Sequence, residues 1–205
     1  HNNNYNYHMF DKQQKTILLS PTWGEHGLLS KYGSQILNKL TSIEDTNIII
    51  RPHPQSFTSD KEVIGKLTKE FPETPTLKWD NEADGLIAMY HADIMISDFS
   101  GIVYDYLFLF QRPILTFKSQ FEKRGRDAMD LDEELTEMTY LNDIGQTLEE
   151  CDIPNLETII ENNLARDSDL QETIKDAKNE LAQFPGESGK NAANFIQNIM
   201  KKIQE

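Results

Sequence analysis

Short apolar runs alternate with amphipathic stretches along most of this chain. Runs of a few apolar residues bounded by polar or small residues predict buried strands, because they are too short for a helix and lack its period. Between them, apolar residues recur at the spacing of a helix with one buried face. The predicted strands cover residues 16–19, 47–50, 76–79, 94–96 and 114–117, and the predicted helices cover residues 28–40, 60–71, 85–91, 102–110, 144–150, 155–163, 168–184 and 190–203.

This alternation predicts an α/β domain with a parallel sheet flanked by helices. The run at residues 47–50 is nearly all β-branched, as expected for a strand buried on both faces. Residues 118–138 lack a regular pattern, and irregular segments of that length within a compact domain are usually functional or mobile. We assign residues 15–205 to one domain, and we expect the polar, Asn-rich residues 1–14 to be a disordered tail.

The turn at residues 97–101 is the first candidate for binding chemistry. It joins a buried strand to a helix, and small residues there leave backbone N–H groups open at the positive end of the helix dipole. A phosphate group suits such a turn. Ser97, Asp98 or Ser100 could equally cap the helix through a side-chain oxygen, so both interpretations remain open on these residues alone.

His53 is the second candidate. It follows the second predicted strand directly and stands between Pro52 and Pro54, which prevent a helix from forming around it. Ligands of open α/β sheets bind at the carboxyl ends of the strands, so we predict a ligand-binding role. Trp79 could stack on a nucleotide base or pack in the core, and Asp84 could cap the next helix instead of contacting a ligand.

The charge and composition of the chain limit the kinds of partner that it can bind. A formal net charge of −14 over 205 residues argues against nucleic-acid binding. No stretch approaches the roughly 20 apolar residues of a membrane helix, no signal peptide is visible, and the one cysteine, Cys151, excludes an internal disulfide framework. Asp130-Leu131-Asp132 stands in an acidic run without a supporting His, so we predict no metal site. Basic residues near the predicted strand ends could still bind an anion: Arg51, His53, Arg112, Lys118, Lys123, Arg124 and Arg126.

Several motifs, in order, give the chain a resemblance to a known family. They are Ser20-Pro21-Thr22-Trp23, Arg51-Pro52-His53-Pro54, the run from Ile96 to Gly101 with Asp105 and Arg112-Pro113-Ile114 after it, Phe121 to Gly125 with Asp130 and Asp132, and Gly189-Lys190-Asn191-Ala192. This series resembles the C-terminal half of the CDP-glycerol glycerophosphotransferases, the teichoic acid primases and polymerases. The resemblance spans roughly residues 16–203.

The resemblance implies one Rossmann-like half of a GT-B fold, the half that binds the nucleotide donor. It implies transfer of glycerol phosphate, or a related polyol phosphate, from CDP-glycerol to a polymer or lipid-linked acceptor, in the cytoplasm or at the inner face of the membrane. It implies His53 as the catalytic residue and a donor site without a metal or other cofactor. The donor-binding residues that we assign are Trp23, Arg51, Trp79, Ser97, Asp98, Ser100, Gly101, Asp105 and Arg124.

The chain also departs from that family. Gly101 replaces a Ser of the family pattern, and Gly24 stands where an Arg often follows the Trp. The family's N-terminal half, with its proposed general base, has no counterpart here, so we expect nucleotide binding but no turnover by this polypeptide. Two alternatives remain open. One is a sugar transferase or epimerase relative that uses a UDP- or CMP-linked donor, with a base pocket near Trp79 and Asn81. The other is a non-catalytic α/β interaction module.

Overall fold

A six-stranded, fully parallel sheet forms the centre of the protein. The computed structural model describes residues 9–10, 14–118, 145–181 and 184–204. The strands are β1 (Lys15–Leu19), β2 (Thr46–Ile50), β3 (Leu77–Trp79), β4 (Ile94–Ser97), β5 (Ile114–Phe117) and β6 (Gln146–Leu148). They lie in the order β3-β2-β1-β4-β5-β6, which is that of a Rossmann-type doubly wound sheet.

Helices connect the strands and cover both faces of the sheet. They are α1 (Leu28–Thr41), α2 (Ser56–Ser59), α3 (Lys61–Glu70), α4 (Leu86–His91), α5 (Ile102–Phe110), α6 (Leu156–Ala165), α7 (Asp167–Leu181) and α8 (Ser188–Gln204), with a 3₁₀ helix at Glu150–Asn155. The α/β fold predicted from the alternating pattern is confirmed. The five strands predicted from apolar runs are confirmed to within one residue at each end.

Alternation along each strand divides the core into two layers. Ile17 and Leu19 of β1 pack on one face with α1, α3 and α6, whereas Leu18 packs on the other face with α4, α5 and α7. Successive side chains of a strand point to opposite faces, so a continuously apolar strand fills both layers. This explains why β1, β2 and β4 carry uninterrupted apolar runs.

The structure corrects one predicted element. We expected a helix at residues 144–150, but Gln146–Leu148 forms β6, which pairs in parallel with β5, and a 3₁₀ helix begins at Glu150. The physical reason is pairing with another strand, which the local sequence does not show. β6 has one buried residue, Leu148, and its backbone is held by the edge of β5 and not by a hydrophobic pattern of its own.

The ends of the described chain differ in their packing. Met9 and Phe10, within the segment expected to be a disordered tail, pack against the layer that contains α5. Helix α8 instead leaves a set of large apolar side chains exposed: Phe195, Ile196, Ile199, Met200 and Ile203. Among the described residues, no helix combines the length and the hydropathy that crossing a membrane requires.

Candidate functional site

The strand order creates a crevice between β1 and β4. These neighbouring strands continue into helices on opposite faces of the sheet, α1 and α5, so their following loops diverge at the carboxyl edge. Ligands of doubly wound folds bind at such a switch point. Three loops meet this edge: residues 20–27 after β1, which we call the β1–α1 loop, residues 51–55 after β2, and residues 98–101 after β4.

The first two loops bring Trp23 and His53 together. Their ring centroids are 6.4 Å apart and the planes are inclined by 35°. Trp23 has 42% of its surface exposed, and His53 is also exposed. An accessible indole beside an accessible imidazole is a suitable surface for a planar or anionic ligand. Both residues were predicted to bind the donor, and the fold places them side by side.

Local backbone geometry sets the protonation pattern of His53. The Gln55 N–H donates to His53 Nδ1 at 3.1 Å, so Nδ1 acts as an acceptor and the proton of the neutral ring lies on Nε2. Partial burial lowers the pKa of His53 from its ordinary value. The neutral imidazole that predominates at neutral pH therefore has an N–H donor at Nε2.

Ser97 and Asp98 hold the β1–α1 loop and do not cap α5. Ser97 Oγ donates to the Ser20 carbonyl at 2.6 Å, while the Asp98 carboxylate accepts from Thr22 N–H at 2.8 Å and from Leu28 N–H at 3.0 Å. Both side chains are buried. Burial raises the pKa of Asp98 to about 6, although backbone N–H groups, including those of Thr22 and Leu28, favour the carboxylate. Of the two interpretations that the sequence left open for Ser97 and Asp98, capping of α5 is therefore not observed, and contact with the donor stays a prediction.

Among the residues that the structure describes, no side chain caps the start of α5. Gly101 occupies its N-cap position without a side-chain cap hydrogen bond, and Ser100 is half-buried beside it. Asp105 lies exposed in the first turn of the same helix. In its first turn Val103 N–H and Tyr104 N–H donate to the carbonyls of Ser100 and Gly101 at 3.2 and 3.1 Å. The positive dipole end of the helix lies at this turn, and anion binding there stays a prediction.

Two residues assigned to the donor make contacts within the protein. The guanidinium of Arg51 is buried, pairs with Asp80 at 2.5 Å and donates to the Glu82 carbonyl at 2.9 Å. The Trp79 indole donates to the Phe71 carbonyl at 2.9 Å and packs against the core. Arg51 thus connects the loops after β2 and β3, and Trp79 has the core role that was its alternative.

Sequence reasoning missed the contribution of Asp60. Its Oδ2 accepts from Gly24 N–H at 2.9 Å, which joins the β1–α1 loop to the start of α3. An Asp before a helix looks like a cap in sequence, and no local pattern shows that its partner lies 36 residues away. Asp84, in contrast, accepts from Leu86 N–H at 2.9 Å and satisfies the first turn of α4, as its helix-end position suggested.

Arg112 does not join this group. Arg112 lies at the amino edge of the sheet, where it donates to the carbonyls of Tyr90 and Ala92. Arg124, Asp130 and Asp132 lie outside the described residues. Within the part of the chain that the structure describes, no three His, Cys, Asp or Glu side chains are grouped as metal ligands.

A groove of about 930 Å³ lies elsewhere, between the second half of α1 and the 3₁₀ helix. Its lining includes Asn38, Lys39 and Cys151. At 1.5 Å per residue, Asn38 is about 15 Å along α1 from Leu28, the residue bonded to Asp98. The groove is therefore separate from the Trp23–His53 surface. We place the candidate site at the carboxyl edge, where Trp23 and His53 lie together and the turn at residues 98–101 follows the neighbouring strand β4.

Comparison with known families is decisive. Residues 5–200 match the family described as CDP-Glycerol:Poly(glycerophosphate) glycerophosphotransferase. The chain belongs to this glycerophosphotransferase family. A comparison of the sequence with curated proteins found no match.

Several solved structures have a fold similar to that of this glycerophosphotransferase-family chain. Two variants of the wall teichoic acid polymerase TagF share 19% identity with it, at TM-scores of 0.55 and 0.58; the matches cover 96% of this chain but 46% and 47% of the TagF chains. The chain thus spans about half the length of TagF. The C-terminal CMP-Kdo binding domain of WaaA from Acinetobacter baumannii matches at 12% identity and TM-score 0.51, covering 81% of this chain and 90% of that one.

A third protein of similar fold is the UDP-GlcNAc 2-epimerase of Methanocaldococcus jannaschii, solved in complex with UDP-GlcNAc and UDP. It matches at 16% identity and TM-score 0.52, covering 74% of this chain and 39% of the epimerase chain. The Rossmann-like fold expected for one half of a GT-B transferase is confirmed by these matches and by the parallel sheet.

Proposed function

We propose that this chain is the donor-binding half of a transferase that moves glycerol phosphate, or a related polyol phosphate, from CDP-glycerol to a teichoic-acid or capsule-type acceptor. Family membership carries the proposal. A donor site at the carboxyl edge is supported by the contact between Trp23 and His53 and by the hydrogen bond from Thr22 N–H to Asp98, which joins their loop to the turn before α5. A scaffold used only for protein interaction would not require an exposed imidazole in contact with an exposed indole at this edge.

In this proposal the donor diphosphate lies against residues 100–101 and the first turn of α5, with Asp105 near the ribose. His53 donates from Nε2–H to a phosphate oxygen, since its Nδ1 is occupied by Gln55 N–H. An acceptor hydroxyl attacks the glycerol-bearing phosphorus and gives its proton to the general base of a second domain. The bond from that phosphorus to the bridging oxygen breaks, and CMP leaves with that oxygen. Fixed N–H groups stabilise the charge that develops on the departing phosphate. The proposal assigns this stabilisation to protein groups without a metal.

Two features support a role limited to donor binding. The chain spans about half of TagF, and its site is a crevice along one sheet edge. We propose that a second domain carries the general base and the acceptor site, so that this polypeptide binds nucleotide but does not turn over. We also propose a cytoplasmic location, with the full enzyme at the inner face of the membrane, where a lipid-linked acceptor is available.

Calorimetric titration with CDP-glycerol, CDP, CMP, UDP and UDP-GlcNAc tests the proposal. We expect the cytidine diphosphate ligands to bind most tightly. His53→Ala should weaken their binding at least tenfold, because a hydrogen bond to a charged group contributes about 1.5–3 kcal/mol. His91→Ala is a matched control, because this second imidazole ends α4 at the amino edge.

Gly101→Ser tests the location of the site by an expected gain in affinity, whereas His53→Ala tests it by an expected loss. A Cβ added at Gly101 meets no atom within 4 Å, so Gly101→Ser restores the family's hydroxyl without a clash. We expect CDP to bind about tenfold more tightly, because a hydroxyl that donates to a charged phosphate contributes about 1.5 kcal/mol. Tighter binding of UDP than of CDP would contradict the cytidine assignment and favour a sugar-nucleotide enzyme, such as the epimerase solved with UDP. Equal affinities in wild type and His53→Ala would place the donor elsewhere.

A further inference from the structure

The two backbone N–H groups that flank Trp23 are both bound by carboxylates from other elements. Thr22 N–H, before Trp23, donates to Asp98 after β4, and Gly24 N–H, after it, donates to Asp60 before α3. The indole itself remains exposed and makes ring contact with His53. The backbone around Trp23 is thus fixed on both sides while its side chain is left accessible.

Asp98 is the deeper of the two carboxylates. It is 1% exposed, and its two oxygens serve two donors at opposite ends of one loop, Thr22 at the start and Leu28 at the first residue of α1. A neutral Asn or a protonated Asp has one strong acceptor oxygen in place of two and adds a donor. Since each oxygen here accepts one N–H, the ionised carboxylate offers a strong acceptor to both donors, although its burial is unfavourable.

We propose that Asp98 is a positioning residue, whose ionised carboxylate sets the conformation of the β1–α1 loop and so places Trp23 against the bound donor. This inference rests on the proposed function, and it replaces direct contact between Asp98 and the donor with an action through the loop. Asp60 acts on the same loop from the side of His53. The donor therefore meets a preformed Trp23–His53 surface, which lowers the ordering cost of binding.

A merely structural carboxylate would affect stability and binding in the same direction. Here the two effects should diverge. Protonation of Asp98 removes a buried charge, which favours the folded state, and also removes one of the two acceptors that hold the loop. Acid should therefore loosen the loop without unfolding the protein. The titratable and charged groups on the surrounding elements are Glu25 and His26 in the loop, Lys31 on α1, His53 after β2, Asp60 before α3, Asp105 on α5 and Lys118 after β5.

The experiment uses Trp23 as a reporter that needs no nucleotide. The chain has two tryptophans, so Trp79→Phe leaves Trp23 alone. In that background, acrylamide quenching of Trp23 is compared between the parent, Asp98→Asn and Asp93→Asn, and CDP affinity is measured by calorimetry. Asp93 is the matched control because its Oδ2 also accepts one backbone N–H, that of Thr16, at 2.8 Å, but at the amino end of β4.

We expect Asp98→Asn to increase the quenching of Trp23 about twofold and to weaken CDP binding about tenfold, while Asp93→Asn changes neither. In the parent protein, quenching should rise as the pH falls through about 6, and this step should be absent from Asp98→Asn. If Asp98→Asn does not fold, Asp60→Ala, which releases Gly24 N–H at a less buried position, provides the second variant, and the acid titration of the parent provides a measurement without any substitution.

The outcomes separate this inference from the proposed function. Unchanged quenching in Asp98→Asn, or a loosened loop with unchanged CDP affinity, would overturn the positioning role. If the parent binds none of the nucleotides, the proposed function fails, and the quenching data still decide whether Asp98 sets the loop.

Discussion

The two ends of the β1–β4 pair use the same chemistry for different purposes. At the amino end, Asp93 accepts from Thr16 N–H at 2.8 Å, and both Arg112 and Tyr106 donate to the Ala92 carbonyl. These groups satisfy each other and close the edge. At the carboxyl end, Asp98 also accepts backbone N–H groups, but they belong to a loop that keeps Trp23 exposed beside His53. A carboxylate on a backbone amide thus seals one edge and shapes an open crevice at the other.

The largest effect should come from a buried pair at the carboxyl edge. Arg51→Ala leaves the buried carboxylate of Asp80 without its partner and should lower the free energy of unfolding by about 3–5 kcal/mol. Lys15→Ala, at the amino end of β1, breaks a partly exposed pair with Glu161 and should cost less than about 1 kcal/mol. Urea denaturation of both variants measures the difference, and equal losses would show that the two edges do not differ in this respect.

The next effect is a pH dependence specific to Asp98. Its folded pKa of about 6 lies above its ordinary 3.8, so between these values the folded state holds a proton that the unfolded state has lost. Its contribution to stability is therefore full below about pH 4 and is lost as the pH rises through 6, by about 3 kcal/mol.

Urea denaturation of the wild type at pH 4 and pH 7 checks the sign of this effect, because the contribution of Asp98 to the free energy of unfolding should be smaller at pH 7. Asp98→Asn should lack the decrease that the wild type shows, and Asp93→Asn should follow the wild type. A wild-type curve parallel to that of Asp98→Asn would mean that Asp98 ionises in the folded protein as it does in the unfolded chain.

The smallest expected changes in stability come from replacing a glycine by alanine, once in the β1–α1 loop and once within a helix. Gly24 has a φ of +98°, whereas Gly65 lies within α3, and an added Cβ meets no atom within 4 Å at either position. Gly24→Ala should destabilise by about 1–2 kcal/mol through backbone strain alone. Gly65→Ala should stabilise by about 0.5–1 kcal/mol through helix propensity. Thermal melts of the two variants should therefore shift in opposite directions, and a shared sign would contradict the strain at Gly24.

The sequence reveals the fold wherever a strand carries its own signal. β1, β2 and β4 each carry three consecutive apolar residues because both of their faces are buried, so each is visible from its local sequence. β6 has no such signal. Its three residues include one buried side chain, and its strand conformation depends on pairing with β5, which a local pattern does not encode.

The candidate site divides in the same way. His53 is recognisable because two prolines and a preceding strand locate it at the carboxyl edge. Asp98 and Arg51 stand in equally suggestive motifs, yet both make buried contacts within the protein, and their partners Thr22, Leu28 and Asp80 are distant in sequence. Residue type and spacing find the edge where chemistry occurs. They do not separate the side chains that face a ligand from those that hold the loops, because that division depends on long-range contacts.

The strand order also has a consequence for how the chain folds. Ile17 of β1 faces Ile48 on one side and Ile94 on the other, so one edge of the central strand can pair early while its second edge waits for β4. Until then an apolar strand edge remains open, and such edges pair with other chains. Long-range parallel pairing is slow. Refolding from denaturant should therefore lose material to aggregation as protein concentration rises, and the yield should be highest in dilute solution.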